Sequence, residues 1–359
     1  GLIFTGFPWL NLGYAQIDGP LAGYGPLLGV YGMSLLAVVS AGLLLDAVLN
    51  RRAWRHALPV VAIIFVGGWG LTQAEWTRPA GEPLKVSLIQ GAIPQDIKWN
   101  PEERGPTLGL YATLTEGHWD SDLIVWPETA VPAFYHQVED YLDRLGREAR
   151  RHGSDLLVGV PVRERNSRRY FNSMVRPGPE ARFYRKVHLV PFGEFLPLKP
   201  ILGRFIDFFQ IPMADFSSGA KDQPLLELAG HKVGISICYE DVFGEEVIRG
   251  LPAAAFLINA SNDAWFGDSI APQQHLQIAR ARALETGRPM LRATNTGVTA
   301  LIDHRGRVTA TSPQFQADVL TGTIQPRQGA TPYVRLGNYP VVILCLLALA
   351  VAFRLSRRP

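Results

Sequence analysis

Three side chains able to do acyl chemistry, Glu128, Lys186 and Cys238, stand at or near the ends of short apolar stretches. Residues 232–241 read Lys-Val-Gly-Ile-Ser-Ile-Cys-Tyr-Glu-Asp, and 233–237 are apolar or small with β-branched members, the pattern of a buried strand. Cys238 closes that strand, and a helical pattern through Val242, Val247 and Ile248 follows at once. A nucleophile so placed meets backbone N–H groups and the positive end of a helix, which favour a thiolate. A buried structural cysteine explains this window equally well, since free Cys packs as a small hydrophobe.

Two further stretches shift the balance toward chemistry. Residues 122–128, Asp-Leu-Ile-Val-Trp-Pro-Glu, form a second apolar strand ending in a carboxylate. Residues 184–194, Tyr-Arg-Lys-Val-His-Leu-Val-Pro-Phe-Gly-Glu, supply Lys186 and a second carboxylate, Glu194. A thiol with an ordinary pKa of about 8.5 needs a base at neutral pH, and Glu128 offers one. A tetrahedral oxyanion needs fixed positive charge, which Lys186 and the backbone N–H of Tyr239 offer.

The carboxylate, lysine and cysteine, in that chain order and within those motifs, resemble the Glu-Lys-Cys triad of the nitrilase (carbon–nitrogen hydrolase) superfamily. Strands at 84–89, 123–126, 155–160, 171–175, 233–237, 255–259, 290–293 and 298–302 alternate with helical patterns near 102–116, 138–152, 242–249 and 272–286. That alternation favours a layered α/β domain. The resemblance implies the nitrilase-like four-layer αββα sandwich.

Hydrophobic residues make up 47% of the 359, and they are unevenly spread. Apolar runs at 26–49, 57–71 and 341–353 are candidates to cross a hydrocarbon core of about 30 Å, the last only if residues 336–338 and Leu355 contribute. Arg51, Arg52 and Arg55 follow the first run, and Arg354, Arg357 and Arg358 close the last. Cytoplasmic loops carry the excess of basic residues, so both basic segments are expected inside and residues 77–335 outside. The division expected is therefore an aromatic membrane-interface segment at 1–25, two transmembrane helices at 26–76, an extracytoplasmic catalytic domain at 77–335, and a last span with a basic tail at 336–359. A packed loop is the alternative for 1–25. The formal net charge of +3 implies no nucleic-acid partner. The two cysteines, Cys238 and Cys345, give no disulfide framework, and no His/Cys cluster suggests a metal site. The chain starts at Gly1 with no signal peptide and reads as a segment or a processed form.

A Glu-Lys-Cys domain beside membrane runs is similar to the apolipoprotein N-acyltransferase family over nearly the whole chain. The segments that carry this are FTGFPWLNLGYAQIDGP, IPQDIKW around Trp99, HLVPFGEFLP, SNDAWFG and TPYVRLGNYP. The resemblance implies an enzyme of the bacterial inner membrane that needs no cofactor. It would move an acyl chain from a phospholipid donor to the N-terminal amine of a diacylglyceryl apolipoprotein, through a thioester on Cys238. It also implies that Glu194 is a further essential carboxylate, and that Trp99, Tyr239 and Glu240 occupy positions the family depends on. The rival reading is a membrane-tethered amidase using the same triad with water as acceptor.

Three stretches keep simpler readings. In SNDAWFG, Asn262, Asp263, Trp265 and Phe266 can orient a substrate or form a capped turn, and alone the turn is favoured. The run 163–169, with four arginines, is a solvated hairpin tip unless it meets anionic lipid. His275 is expected to be structural, and Arg282 and Glu285 are spaced to pair across one helical turn.

Overall fold

The computed structural model describes residues 6–195 and 215–357. Phe4, the end of the HLVPFGEFLP motif and Arg358 lie outside the described residues.

Fourteen strands are described: β1 (Arg78–Pro79), β2 (Leu84–Gln90), β3 (Leu123–Val125), β4 (Asp155–Arg163), β5 (Tyr170–Arg176), β6 (Arg182–Arg185), β7 (Leu226–Leu228), β8 (His231–Ile237), β9 (Phe256–Ser261), β10 (Met290–Thr294), β11 (Ala300–Ile302), β12 (Val308–Thr311), β13 (Asp318–Ile324) and β14 (Arg327–Gln328). They form two six-stranded sheets, ordered β13-β2-β3-β4-β5-β6 and β12-β11-β10-β9-β8-β7, plus a small β1-β14 pair. Taken from β13 in one sheet and β7 in the other, both run through the same pairings: one antiparallel, two parallel, two antiparallel.

Pleating sends alternate side chains to opposite faces. Leu123 and Val125 of β3 point inward to meet Val233, Phe256, Ile258 and Leu291 of the other sheet, and all six are buried. Ile124 and Trp126 point outward against the helix Tyr135–Arg151, which buries Tyr135, Val138, Leu142 and Ala149 on them. The second sheet turns Leu257, Met290 and Ile302 toward Leu276, Ala279 and Ala283 of the helix Ala271–Thr286. Helix, sheet, sheet, helix is the αββα sandwich expected. At roughly 1.5–3 kcal/mol for each fully buried aliphatic or Phe side chain, these three apolar layers hold the sheets face to face.

The helix expected over 242–249 does not form as one piece. A 3-10 turn, Cys238–Val242, is followed by a four-residue helix, Gly244–Val247, and another 3-10 turn, Ile248–Gly250. Phe243 breaks the run at φ −99°, ψ 90°, and Gly244 is packed so tightly on Arg282 and Tyr333 that a side chain there would collide with both. Strands β1, β6, β7, β12, β13 and β14 escaped the sequence reading. β12 is Val-Thr-Ala-Thr, half exposed, and β13 runs along a sheet edge with much of its length open.

Two helical stretches, Pro20–Leu49 and Arg51–Leu71, are long and apolar enough to cross a membrane. Val48, Ile63, Val66 and Trp69 on them are exposed. The first is kinked at Gly29, whose φ of +64° leaves its Cα facing the Tyr333 ring. The kink frees the N–H of Val30, which donates to the buried carboxylate of Glu285 at 2.6 Å. Glu285 also pairs with Arg282 at 3.1 Å, the pair expected from their spacing. Leu336 and Asn338 do not lengthen the last apolar helix, Tyr339–Ser356, because Gly337 at φ +56° ends the separate helix Pro332–Leu336. At 1.5 Å per residue its 18 residues span about 27 Å. The aromatic segment near the N-terminus folds as three 3-10 turns on the helix Ala271–Thr286 and the turn after β8, burying Trp9 and Tyr14 while Phe7, Leu10 and Leu12 stay exposed.

Candidate active site

Cys238 follows β8 with φ +51°, a left-handed conformation that a non-glycine residue holds only when its neighbours enforce it. Here the enforcement comes from both sides. The carboxylate of Glu240 accepts the Ile237 N–H at 2.7 Å and, from the lysine-bearing loop, the N–H groups of Val187 at 2.6 Å and His188 at 3.0 Å. Tyr184 donates its hydroxyl to the same carboxylate at 2.9 Å. Beneath the turn, the Cys238 carbonyl accepts from Asn259 Nδ2 at 3.2 Å and faces His275 Nε2 at 3.3 Å. Glu240 thus clamps the cysteine turn to the segment carrying Lys186. Burial pushes Glu240 up to about 7, against Lys186 and its three N–H donors.

Glu128 is delivered by the end of β3. Trp126 anchors that end: its ring lies 4.8 Å from the Tyr111 ring and its Nε1–H donates to Thr115 Oγ1 at 2.9 Å. The Trp-Pro-Glu backbone then passes over Gly159 of β4, where a Cβ would sit 2.9 Å from Glu128 Cα and 2.7 Å from Thr129 N. Only glycine permits that approach. The Glu128 carboxylate accepts from Asn172 Nδ2 at 2.6 Å and from the Asn262 N–H at 2.8 Å.

Lys186, 1% exposed, reaches Glu194 Oε2 at 2.8 Å and Glu128 Oε1 at 3.6 Å. Asn172 also donates to Glu194 at 3.0 Å, so one amide spans both carboxylates. The Val190 N–H donates to Glu194 Oε2 at 2.9 Å, the same oxygen that Lys186 reaches, while Asn172 holds Oε1. Burial alone would lower Lys186, but Glu194, Glu128 and Cys238 together hold it well above its usual value. It is a permanent cation. Burial raises Glu128, with Lys186 pulling it down and Glu194 pushing it further up.

Burial, and then Glu128, also push the Cys238 thiol well above its usual value, against the pull of Lys186. The thiolate expected from a following helix is therefore not the resting state. That helix is too short for a useful dipole, and loss of water around the sulfur outweighs what remains. A neutral thiol beside a carboxylate of raised basicity is suited to attack with simultaneous proton transfer.

The other expected residues divide. Tyr239 packs its ring on the N-terminal segment, stacking 6.0 Å from Phe7 and 6.4 Å from Trp9, with its hydroxyl donated to the Gly6 carbonyl at 3.0 Å. Trp99 is half-buried and stacks on none of the described aromatic rings; its neighbour Lys98, 1% exposed, is the residue that reaches the Glu128 turn. SNDAWFG is a turn, as expected, yet it is more than a connector. The Asn262 N–H holds Glu128, and Asp263 bonds His275 Nδ1 at 2.9 Å and Arg292 at 2.8 Å. His275 Nε2 meets Asp241 at 3.0 Å. Cys238, Asp263 and His275 hold donor atoms within 4.8 Å of one another, but both imidazole nitrogens already face carboxylates. Burial and Arg292 would lower His275, yet Asp241 and Asp263 raise it to about 9, so the ring is an imidazolium within an ion cluster. Asn172, Arg292 and Lys98 escaped the sequence reading because their partners lie far along the chain.

Two facing sheets that bring a buried glutamate, lysine and strand-end cysteine to one point define a carbon–nitrogen hydrolase. Residues 85–333 match the Carbon-nitrogen hydrolase family model, and residues 1–43 match that of the Apolipoprotein N-acyltransferase N-terminal domain. The chain belongs to the apolipoprotein N-acyltransferase family. It is 53% identical over 360 residues to apolipoprotein N-acyltransferase of Methylococcus capsulatus, covering 100% of this chain and 71% of the relative. The Nitrosomonas europaea relative is 52% identical (100% and 73% covered), and that of Pseudomonas putida 47% (99% and 72%). Among solved structures, the fold is shared with XC1258 from Xanthomonas campestris, a CN-hydrolase superfamily protein, at TM-score 0.50 and 21% identity over 68% of this chain and 91% of that one.

Proposed function

We propose that this chain transfers a fatty acyl group from a phospholipid to the N-terminal amine of a diacylglyceryl-cysteine apolipoprotein, through a thioester on Cys238. The observation that carries this is the convergence of the half-buried strand-end Cys238 with buried Glu128 and Lys186, whose Nζ lies 3.6 Å from the Glu128 carboxylate. The names of the relatives point the same way.

In the first half-reaction, Glu128 takes the Sγ proton as sulfur attacks the donor's ester carbonyl carbon. Lys186 and the Tyr239 N–H meet the oxyanion. As the ester C–O bond breaks, Glu128 returns the proton to the departing lysophospholipid oxygen, and the acyl chain stays on sulfur. In the second half, a neutral acceptor amine attacks the thioester carbon. Glu128 takes the amine proton, the C–S bond breaks, and the leaving thiolate recovers that proton. Glu194 and Asn172 keep Lys186 aimed throughout, and Glu240 keeps the Cys238 turn and the lysine loop in register.

The exposed Phe192, Trp265 and Phe266 offer apolar cover near these motifs, suited to a lipid acyl chain and to keeping water from the thioester. The two apolar N-terminal helices and the last one anchor the enzyme in the bacterial inner membrane, with residues 51–56 and 354–357 inside and the catalytic layers outside.

Intact-mass and peptide mapping after incubation with phospholipid tests the nucleophile. A hydroxylamine-labile acyl adduct on Cys238 is expected, lost in Cys238→Ser. An adduct on Cys345, or on neither cysteine, contradicts the proposal.

A further inference from the structure

Lys98 is a second fully buried lysine beside the catalytic carboxylate, and the reaction sketched above gives it no part. It lies in the loop after β2, which is anchored by the Asn295 side chain bonding both the N–H of Ile93, at 3.0 Å, and its carbonyl, at 2.7 Å. Its Nζ donates to Thr129 Oγ1 at 2.9 Å. Thr129 directly follows Glu128 and has φ +44°, a strained turn that the lysine pins.

The local charge balance says why a cation is needed here. The charged groups that face Glu128 are Lys186 and Glu194 from the loop beyond β6, Lys98 from the loop after β2, and the titratable Cys238 from the turn after β8. Glu128 and Glu194 bring two negative charges, and Lys186 alone brings one positive. Lys186 sits closer to Glu194 than to Glu128, at 2.8 Å against 3.6 Å, so it leaves Glu128 undercompensated. Buried charges persist only when paired. Burial lowers Lys98 to about 8, with Glu128 pulling it back up, so below that pH it is an ammonium and brings Glu128, Glu194 and Lys186 to zero net charge.

We infer that Lys98 is a positioning and charge-balancing residue for acyl transfer, whose ammonium keeps buried Glu128 a carboxylate and holds the turn that aims it. The inference rests on Glu128 being the base.

The test is the single-turnover rate of Cys238 acylation by phospholipid in detergent micelles, measured from pH 5 to 9 with the full membrane protein. Lys98→Gln removes the charge and leaves a shorter amide donor toward Thr129. Its acid limb is expected to move up by about one pH unit or more, making acylation roughly tenfold slower below the limb. Lys98→Arg, which stays charged, is expected to keep the limb in place. An unmoved limb in Lys98→Gln, with Glu128→Gln inactive, overturns the role of the lysine alone. Full acylation by Glu128→Gln overturns the base assignment and this inference with it. If Lys98→Gln does not fold, Thr129→Val removes the lysine's acceptor and keeps its charge. It is expected to slow acylation about tenfold at every pH, and a normal rate there overturns the inference.

Discussion

Cys238 needs a base at the moment of attack because its surroundings keep the thiol protonated at rest. That need was legible from residue types alone: a strand-end cysteine, a strand-end glutamate and a lysine imply one another chemically. Their supports were not, since an asparagine such as Asn172 looks like any polar strand residue until β5 sets it between two carboxylates. His275 is a similar case. Its position on a helix gives no hint of Asp241 and Asp263 closing on both ring nitrogens. Because the folded pKa, about 9, lies above the unfolded value of about 6.5, the ion cluster contributes its full stability below pH 6.5. That contribution fades as pH rises through 9. His275→Gln is therefore expected to cost about 3 kcal/mol at pH 6, with the difference from wild type shrinking by pH 9.5 in detergent unfolding experiments. A difference that stays constant with pH would show that the ring is held neutral.

At the scale of elements, the buried strands were easy to read because apolar runs ending in polar residues mark them plainly. The edge strands were hidden by their polar, half-exposed patterns, and the supposed helix after Cys238 was misread because Val242, Val247 and Ile248 have helical spacing without a helix. What sequence patterning cannot express is close approach between backbones. Gly159 permits β4 to pass beneath the Glu128 turn, and an added methyl must push that turn outward. Gly159→Ala is expected to lower acylation about 100-fold, since a displacement near 1 Å misaligns the base, while overpacking removes only about 1–3 kcal/mol of stability. Comparison of acylation rates with thermal melting checks this. A variant acylating at the wild-type rate would mean that the approach has no bearing on Glu128.

For the whole molecule, layered α/β architecture followed from alternation, whereas the αββα sandwich came from family resemblance, because spacing alone does not say how two sheets face. The repeat of one pairing order in both sheets has no counterpart in the sequence patterns. Glu285, on the helix Ala271–Thr286, closes the kink of the first apolar helix by accepting the Val30 N–H. The proposed topology is checked by cysteine labelling in intact cells with Cys345 replaced. Ser167→Cys is expected to react with an impermeant maleimide from outside, and Arg357→Cys only after permeabilisation. Equal reactivity of the two would contradict the placement of the last helix. The central claim, that the enzyme is a transferase and no hydrolase, concerns the fate of the thioester, since both chemistries share the same triad. The most direct measurement follows pre-formed acyl-enzyme, prepared from the full membrane protein, after mixing with a diacylated peptide bearing a free N-terminal amine. A long-lived acyl-enzyme, discharged rapidly by that peptide and untouched by its N-acetylated form, is the expected result; release of free fatty acid at a rate the peptide does not change would contradict it.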